Sequence, residues 1–173
     1  MTSGVRIALL VFLAALFQAS VFSAIQVLGG TPEVLLVTLI SIALLRGSIA
    51  GAAAGFAGGL IVDVATFGTL GVTSLLFTVA GFWAGRYGET TGRDRAHAPL
   101  LAIVVITLLV GLAAYTLNFL LGEDVSARQA LVTTLLPTLG LNLIVGGPIY
   151  ALCRWVLRPA EPPRQSREVE VVV

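Results

Sequence analysis

"GSIAGAAAGFAGGLIVDV", Gly47 to Val64, places a glycine at every fourth position (Gly47, Gly51, Gly55, Gly59), and the series ends at Asp63. In a soluble helix each interior glycine costs about 1 kcal/mol against alanine. In lipid the balance differs, because no hydrophobic drive brings helices together and association relies on close packing. Small residues at i, i+4 let two backbones approach, with dispersion and Cα–H···O contacts between them. The stretch reads as a membrane-embedded packing helix, gripped by its neighbours and central to a bundle. A spacing of four drifts about 40° per step on a 3.6-residue helix. The stripe is therefore expected to wind, toward a right-handed crossing or more than one neighbour.

The rest of the chain suits the same solvent. Of its 173 residues, 57% are hydrophobic and 11% charged, with a mean hydropathy of +1.01; soluble domains carry about 25% charged residues. Ile7–Leu28, Pro99–Leu121 and Gln129–Cys153 hold no charge. Each is long enough for the roughly 20 residues with which a helix crosses a ~30 Å hydrocarbon core. Between Val34 and Gly85 the only charges are Arg46 and Asp63. That stretch divides into three helices, Pro32–Leu45, Gly47–Ala65 and Thr69–Gly85. "GGTPE" starts the first, with Thr31 as N-cap, Pro32 at the first helical position and Glu33 near the positive helix end. At 1.5 Å per residue that helix reaches only about 21 Å, so it is short or oblique.

The fold class expected is all-α: a polytopic membrane protein, a bundle of six transmembrane helices over residues 1–158. A disordered cytoplasmic tail, 159–173, follows, rich in proline and charge. With six spans, Arg6, Arg46, Arg86, Arg93, Arg95, Arg154, Arg158, Arg164 and Arg167 share one side, and Arg128 alone takes the other. The positive-inside rule then puts both termini in the cytoplasm. A five-helix reading, with one long hairpin between Val34 and Gly85, fits this bias less well. Met1 to Ala24 also has the outline of a signal peptide, but the apolar run continues to Leu28, past the usual 7–15-residue core. A retained first helix is favoured.

Asp63 lies about 24 Å along its helix from Gly47, near the outer interface and away from the midplane where coupling ions bind. Two roles stand open. It accepts hydrogen bonds from backbone N–H groups or from Thr66 and Thr69, tying the turn to the next helix, or it meets a partner or ligand directly. Arg46, in "LLRGS", is either a snorkelling cation at a helix C-terminus or a contact for a cytoplasmic partner. Asn142 can bond across helices for about 1 kcal/mol, and Pro148 in "GGPIY" is expected to kink the last helix. The candidate packing or partner-interface residues are thus Arg46, Gly47, Gly51, Gly55, Gly59, Asp63, Asn142 and Pro148.

No His/Cys/Asp/Glu group has metal-ligand spacing, and the single Cys153 allows no intrachain disulfide. His97 falls in the charged loop "RYGETTGRDRAHAP". "GAAAGFAGG" lacks the lysine of a phosphate-binding loop. No hydroxyl has an adjacent base to activate it, and no basic cluster suits nucleic acid. Neither an enzyme nor a cofactor is expected.

Taken in order, the "TPE" before the second helix, "LLRGSIAGAAAGFAGGLIVDV", "GTLGVTSL" and "LNLIVGGPIYAL" resemble the MreD family, from the first helix to about Leu157. The resemblance implies a non-enzymatic scaffold of the bacterial inner membrane that supports rod shape and lateral peptidoglycan synthesis. Implied partners are the bitopic coiled-coil protein MreC, the actin-like MreB, the peptidoglycan synthases of the elongation complex, and membrane lipid. The implied fold is similar to the six-helix substrate-binding subunits of energy-coupling-factor transporters. A vitamin-binding subunit of such a transporter is therefore the alternative reading. The short outer loops "GGTPE", "TFG" and "GEDVSAR" offer little to lid a vitamin.

Overall fold

The computed structural model describes residues 3–22, 29–67, 69–91, 98–122 and 133–157. These form an all-α chain with six α-helices among the described residues: α1 Ser3–Phe17, α2 Val34–Arg46, α3 Ser48–Thr66, α4 Val72–Thr91, α5 Ala98–Leu120 and α6 Leu136–Val156. Among the described residues, four helical stretches are long and apolar enough to cross a membrane: Ser3–Ser20, Ser48–Thr66, Ala98–Leu120 and Thr133–Val156. The outward sides are apolar as well, with Phe12 and Phe17 on α1, Leu101 and Leu109 on α5, and Ile144 and Trp155 on α6 all exposed. An apolar exterior of this kind suits lipid and is unfavourable in water.

The hub of the bundle is α2, which corrects the expectation that the glycine-rich helix is central. Every residue from Leu35 to Leu44 is buried, and α2 contacts each of the other five helices. A helix that is apolar all round is stable only when surrounded. By contrast α3 exposes Ile49, Phe56, Leu60 and Val64 on its outer side. Its glycines carry no side chains with which to fill a core, so they serve approach and not volume.

Helix ends differ from the expected ones where tertiary contacts supply the caps. α2 begins at Val34, with Glu33 as N-cap and no side-chain cap bond. Thr31 is not the cap: its N–H donates to Thr138 Oγ at 3.2 Å, and the Glu33 N–H donates to Asn142 Oδ1 at 2.8 Å. α1 leaves α-helical geometry after Phe17 and continues as a π-helical turn, Gln18–Phe22. α4 starts at Val72 instead of Thr69, and runs to Thr91 instead of stopping at Gly85. α6 runs from Leu136 through Val156. The tail 159–173, His97, Arg93, Arg95 and Arg128 lie outside the described residues.

Side-chain contacts show which helix ends meet. Arg6 Nη1 donates to the Val156 carbonyl at 3.2 Å, and Arg46 Nη2 to the Leu157 carbonyl at 2.8 Å. The starts of α1 and α3 and the ends of α2, α4 and α6 thus gather at one end. At the other end lie the starts of α2, α4 and α6 and the end of α3.

Candidate functional site

Gly51, Gly55 and Gly59 all face α4. A Cβ built on Gly51 would collide with the Gly81 carbonyl oxygen, and one built on Gly81 would collide with the Gly51 carbonyl oxygen. At Gly55 the obstacle is the Phe77 carbonyl, and at Gly59 it is Ser74 Cα, 2.5 Å away. Gly85 closes the seam against the Ser48 backbone. All of these neighbours are backbone atoms, which cannot swing aside as the tip of a side chain can. The stripe therefore meets α4 along its length, because α4 offers its facing positions (Ser74, Phe77, Gly81, Gly85) at intervals of three or four and tracks the drift. At Gly51 it also meets α2, where an added Cβ would lie 2.6 Å from the Ala43 Cβ. Gly58, beside the stripe, instead packs on Leu35 and Val11.

Gly47 stands outside α3. It is the single residue between α2 and α3, with φ 97° and ψ 178°, a backbone region essentially reserved for glycine. A side chain there would also meet Glu89 Oε1 at 2.7 Å.

Each helix of this hairpin caps the other. Asp63, near the end of α3 and 2% exposed, accepts from the backbone N–H groups of Gly71 (2.8 Å), Thr73 (3.3 Å) and Ser74 (3.3 Å) at the start of α4. The first-turn N–H groups of a helix have no partner within it, and a negative charge beside them is favoured by the helix dipole. Thr66 takes no part, since its hydroxyl bonds the Val62 carbonyl. Gly71, at φ +92°, turns the chain so that its own N–H reaches the carboxylate. Ser74 Oγ adds a bond to the Phe56 carbonyl at 3.0 Å.

At the opposite end Glu89, on the charged last turns of α4, caps α3. Its Oε1 accepts from the Ser48 N–H (2.8 Å) and Ser48 Oγ (3.0 Å), while Arg86 pairs with Oε2 at 3.4 Å. The Ser48 N–H, then the Ser48 hydroxyl, and lastly Arg86 hold the Glu89 carboxyl below its ordinary 4.5.

A second set of ties joins α2, α5 and α6. Asn142, fully buried, accepts from the Glu33 N–H and donates through Nδ2 to Thr107 Oγ at 3.3 Å. One amide therefore holds the start of α2 and the middle of α5 on α6. At the far end Arg46 and Arg6 bond the last carbonyls of α6, where the helix dipole favours cations. Pro148 lies on the exposed side of α6, and the helix runs unbroken through it. It joins none of these contacts.

The matching half of the seam, on α4, is absent from the sequence-derived candidates. Gly81 and Gly85 carry the same i, i+4 signature as the stripe on α3 and were readable as its complement. Glu89 left no local signal, because its partner is 41 positions away in the chain. Among the described residues no three His, Cys, Asp or Glu side chains group as metal ligands. The polar side chains here join helix to helix.

Two comparisons place the chain among known proteins. The family model described as "rod shape-determining protein MreD" matches residues 2–159. The "Cell shape-determining protein MreD" of Streptococcus pneumoniae (strain ATCC BAA-255 / R6) is 32% identical over 87 residues, which cover 50% of this chain and 52% of that protein. The match thus spans about half the length of that curated relative. No solved structure matches. The chain belongs to the MreD family of rod shape-determining membrane proteins.

Proposed function

We propose that this protein is a non-enzymatic scaffold of the bacterial inner membrane, with six spans and both termini in the cytoplasm. It supports rod shape by joining an MreC-like bitopic coiled-coil protein to the elongation complex, which includes MreB and the peptidoglycan synthases. The observation that carries this reading is the family match across residues 2–159. The use of the polar groups supports it: among the described residues, no buried side-chain nitrogen or oxygen lacks a hydrogen-bond partner, and Asp63, Glu89 and Asn142 all serve helix ends. The grouping of Arg6, Arg46 and Arg86 at one end of the bundle favours the cytoplasmic assignment of that end.

A fold similar to the substrate-binding subunits of energy-coupling-factor transporters belongs to the same proposal, without their vitamin-binding role. The polar cavity between α2, α5 and α6 measures about 260 Å³, below the roughly 300–1,000 Å³ of pockets that hold drug-sized molecules. Gentle-detergent affinity purification from the native host, read by mass spectrometry, tests the function. Recovery of a bitopic coiled-coil protein is expected; recovery of an ATPase pair in its place overturns the scaffold. Topology is tested by impermeant thiol labelling of intact cells. Cysteine at Glu123 should label and cysteine at Arg93 should not; labelling at both, or at position 93 alone, contradicts six spans.

A further inference from the structure

A cavity of about 260 Å³ lies between the start of α2, the second half of α5 and the start of α6. It sits at the end of the bundle that carries Asp63. Glu33 lends it a carboxyl group, Tyr115 a phenol, Asn118 an amide, and Thr107 and Thr138 hydroxyls. Between α5 and α6 the helices close together, since a Cβ on Gly111 would collide with the Leu135 side chain.

This lining is held from behind. Asn142 fixes both the Glu33 N–H and Thr107 Oγ, and Thr138 Oγ holds the Thr31 N–H. The two threonine hydroxyls accept in these bonds and keep their own protons to donate. The Glu33 carboxyl is half-buried, with the Asn142 amide beside it. Among the described residues the ion pair is Arg86–Glu89, at the opposite end of the bundle, and no cation pairs with Glu33.

A carboxylate withdrawn from bulk water is unfavourable unless it is paired and hydrogen-bonded. A charge-assisted bond from a cationic donor is about twice as strong as a neutral one. An ammonium group has three donors and no acceptor. Those donors match the Glu33 carboxylate, the Tyr115 oxygen and the Asn118 carbonyl. The cavity volume is about 260 Å³. That is room for a small head and not for an acyl chain.

We propose that this cavity binds a primary ammonium group on a short polar stem, with Glu33 as its counter-charge. Such a group is carried by the ethanolamine head of a phospholipid and by free amino alcohols. The exposed Leu112 and Phe119 of α5 give the tails of a lipid ligand an apolar surface beside the cavity.

The test uses the full chain in detergent, titrated with four probes. These are ethanolamine, N-acetylethanolamine, dihexanoyl phosphatidylethanolamine and dihexanoyl phosphatidylglycerol, read by calorimetry or thermal shift. Saturable binding of the two ammonium probes, or of the phosphatidylethanolamine alone, is expected. The first result means that the head suffices, and the second identifies a lipid as the source. Glu33→Gln should weaken binding at least tenfold while leaving the ligand-free melting temperature near that of the wild type. If that variant does not fold, Asn118→Leu, which fills the cavity from α5, should abolish binding.

The proposal is overturned by equal binding of the acetylated or glycerol probe, by undiminished binding in these variants, or by no binding at all. Binding seen only after Arg128→Gln would mean that the chain's own arginine fills the cavity, and would overturn it too.

Discussion

Replacing Asp63 strips α4 of the cap for its first turn, and the structure sets the size of the effect. The carboxylate accepts one N–H at 2.8 Å and two at 3.3 Å. A hydrogen bond to a charged group contributes about 1.5–3 kcal/mol, and long ones contribute less. Counting the short bond in full and the long pair at about 0.5 kcal/mol each gives about 2.5–4 kcal/mol for Asp63→Leu. Asp63→Asn keeps one acceptor oxygen, which can still serve the Gly71 and Ser74 N–H groups that share Oδ2. It loses the charge, and its amide faces the Thr73 N–H with a donor, so a loss of about 1–2 kcal/mol is expected. A chain of this length shifts by roughly 2–4 °C per kcal/mol. Asp63→Leu should therefore melt about 5–15 °C lower in detergent, and Asp63→Asn about 2–8 °C lower. Rod-shape complementation and immunoblotted membrane levels should follow the same order, with Asn retaining much of the function and Leu failing at lowered abundance. A Leu variant with wild-type melting temperature and full complementation refutes the capping role. Failure of the Asn variant at normal abundance and stability points instead to a charge-dependent partner.

Other outcomes follow from the same contacts. Gly55→Leu forces a side chain onto the Phe77 carbonyl, and overpacking of 1–3 kcal/mol or more is expected. Gly147→Ala meets nothing within 4 Å and should be neutral or stabilising by up to about 1 kcal/mol through helix propensity; melting temperatures compare the two. The Glu89 clasp has a definite pH sign. Because its carboxyl is held below 4.5 in the folded chain, its contribution is fully present above that value and is lost as pH falls through the lower folded value. The stability gap between the wild type and Glu89→Gln should be constant near neutrality and close below pH 4.5, whereas a gap that widens on acidification contradicts the clasp. Asn142→Leu leaves the Glu33 N–H unmet and should destabilise by about 1–3 kcal/mol, whereas unchanged unfolding in a denaturant series refutes the tie.

Helix number and the polar landmarks were legible because lipid leaves a strong record in sequence: charge-free runs, glycines at i, i+4, and a carboxylate at the end of a stripe. What stayed hidden was pairing. Nothing local in "VLLVTLISIALLR" marks α2 as the hub, since the neighbouring helices are strongly apolar too. The glycines drew attention to α3, yet burial follows bulk, and bulk lies on α2. Thr31 looked like an N-cap, but its neighbours on α6 supply the bonds that a local cap would have made. Glu89 caps a helix 41 residues upstream, a distance over which spacing carries no signal. The cavity over Glu33 likewise draws its lining from three helices and has no contiguous motif.

The glycines of α3 and α4 bring two backbones into contact. Gly51 and Gly81 test this most directly, because each blocks a Cβ on the other with its carbonyl. The measurement is a double-mutant cycle of Gly51→Ala, Gly81→Ala and the pair, by reversible unfolding in mixed micelles. Once the first methyl has pushed the helices apart, the second should add little. The double variant should then lie close to the worse single variant, with a coupling of about 0.5–3 kcal/mol. Additivity within about 0.3–0.5 kcal/mol, as found for distant sites, would contradict backbone contact at this seam.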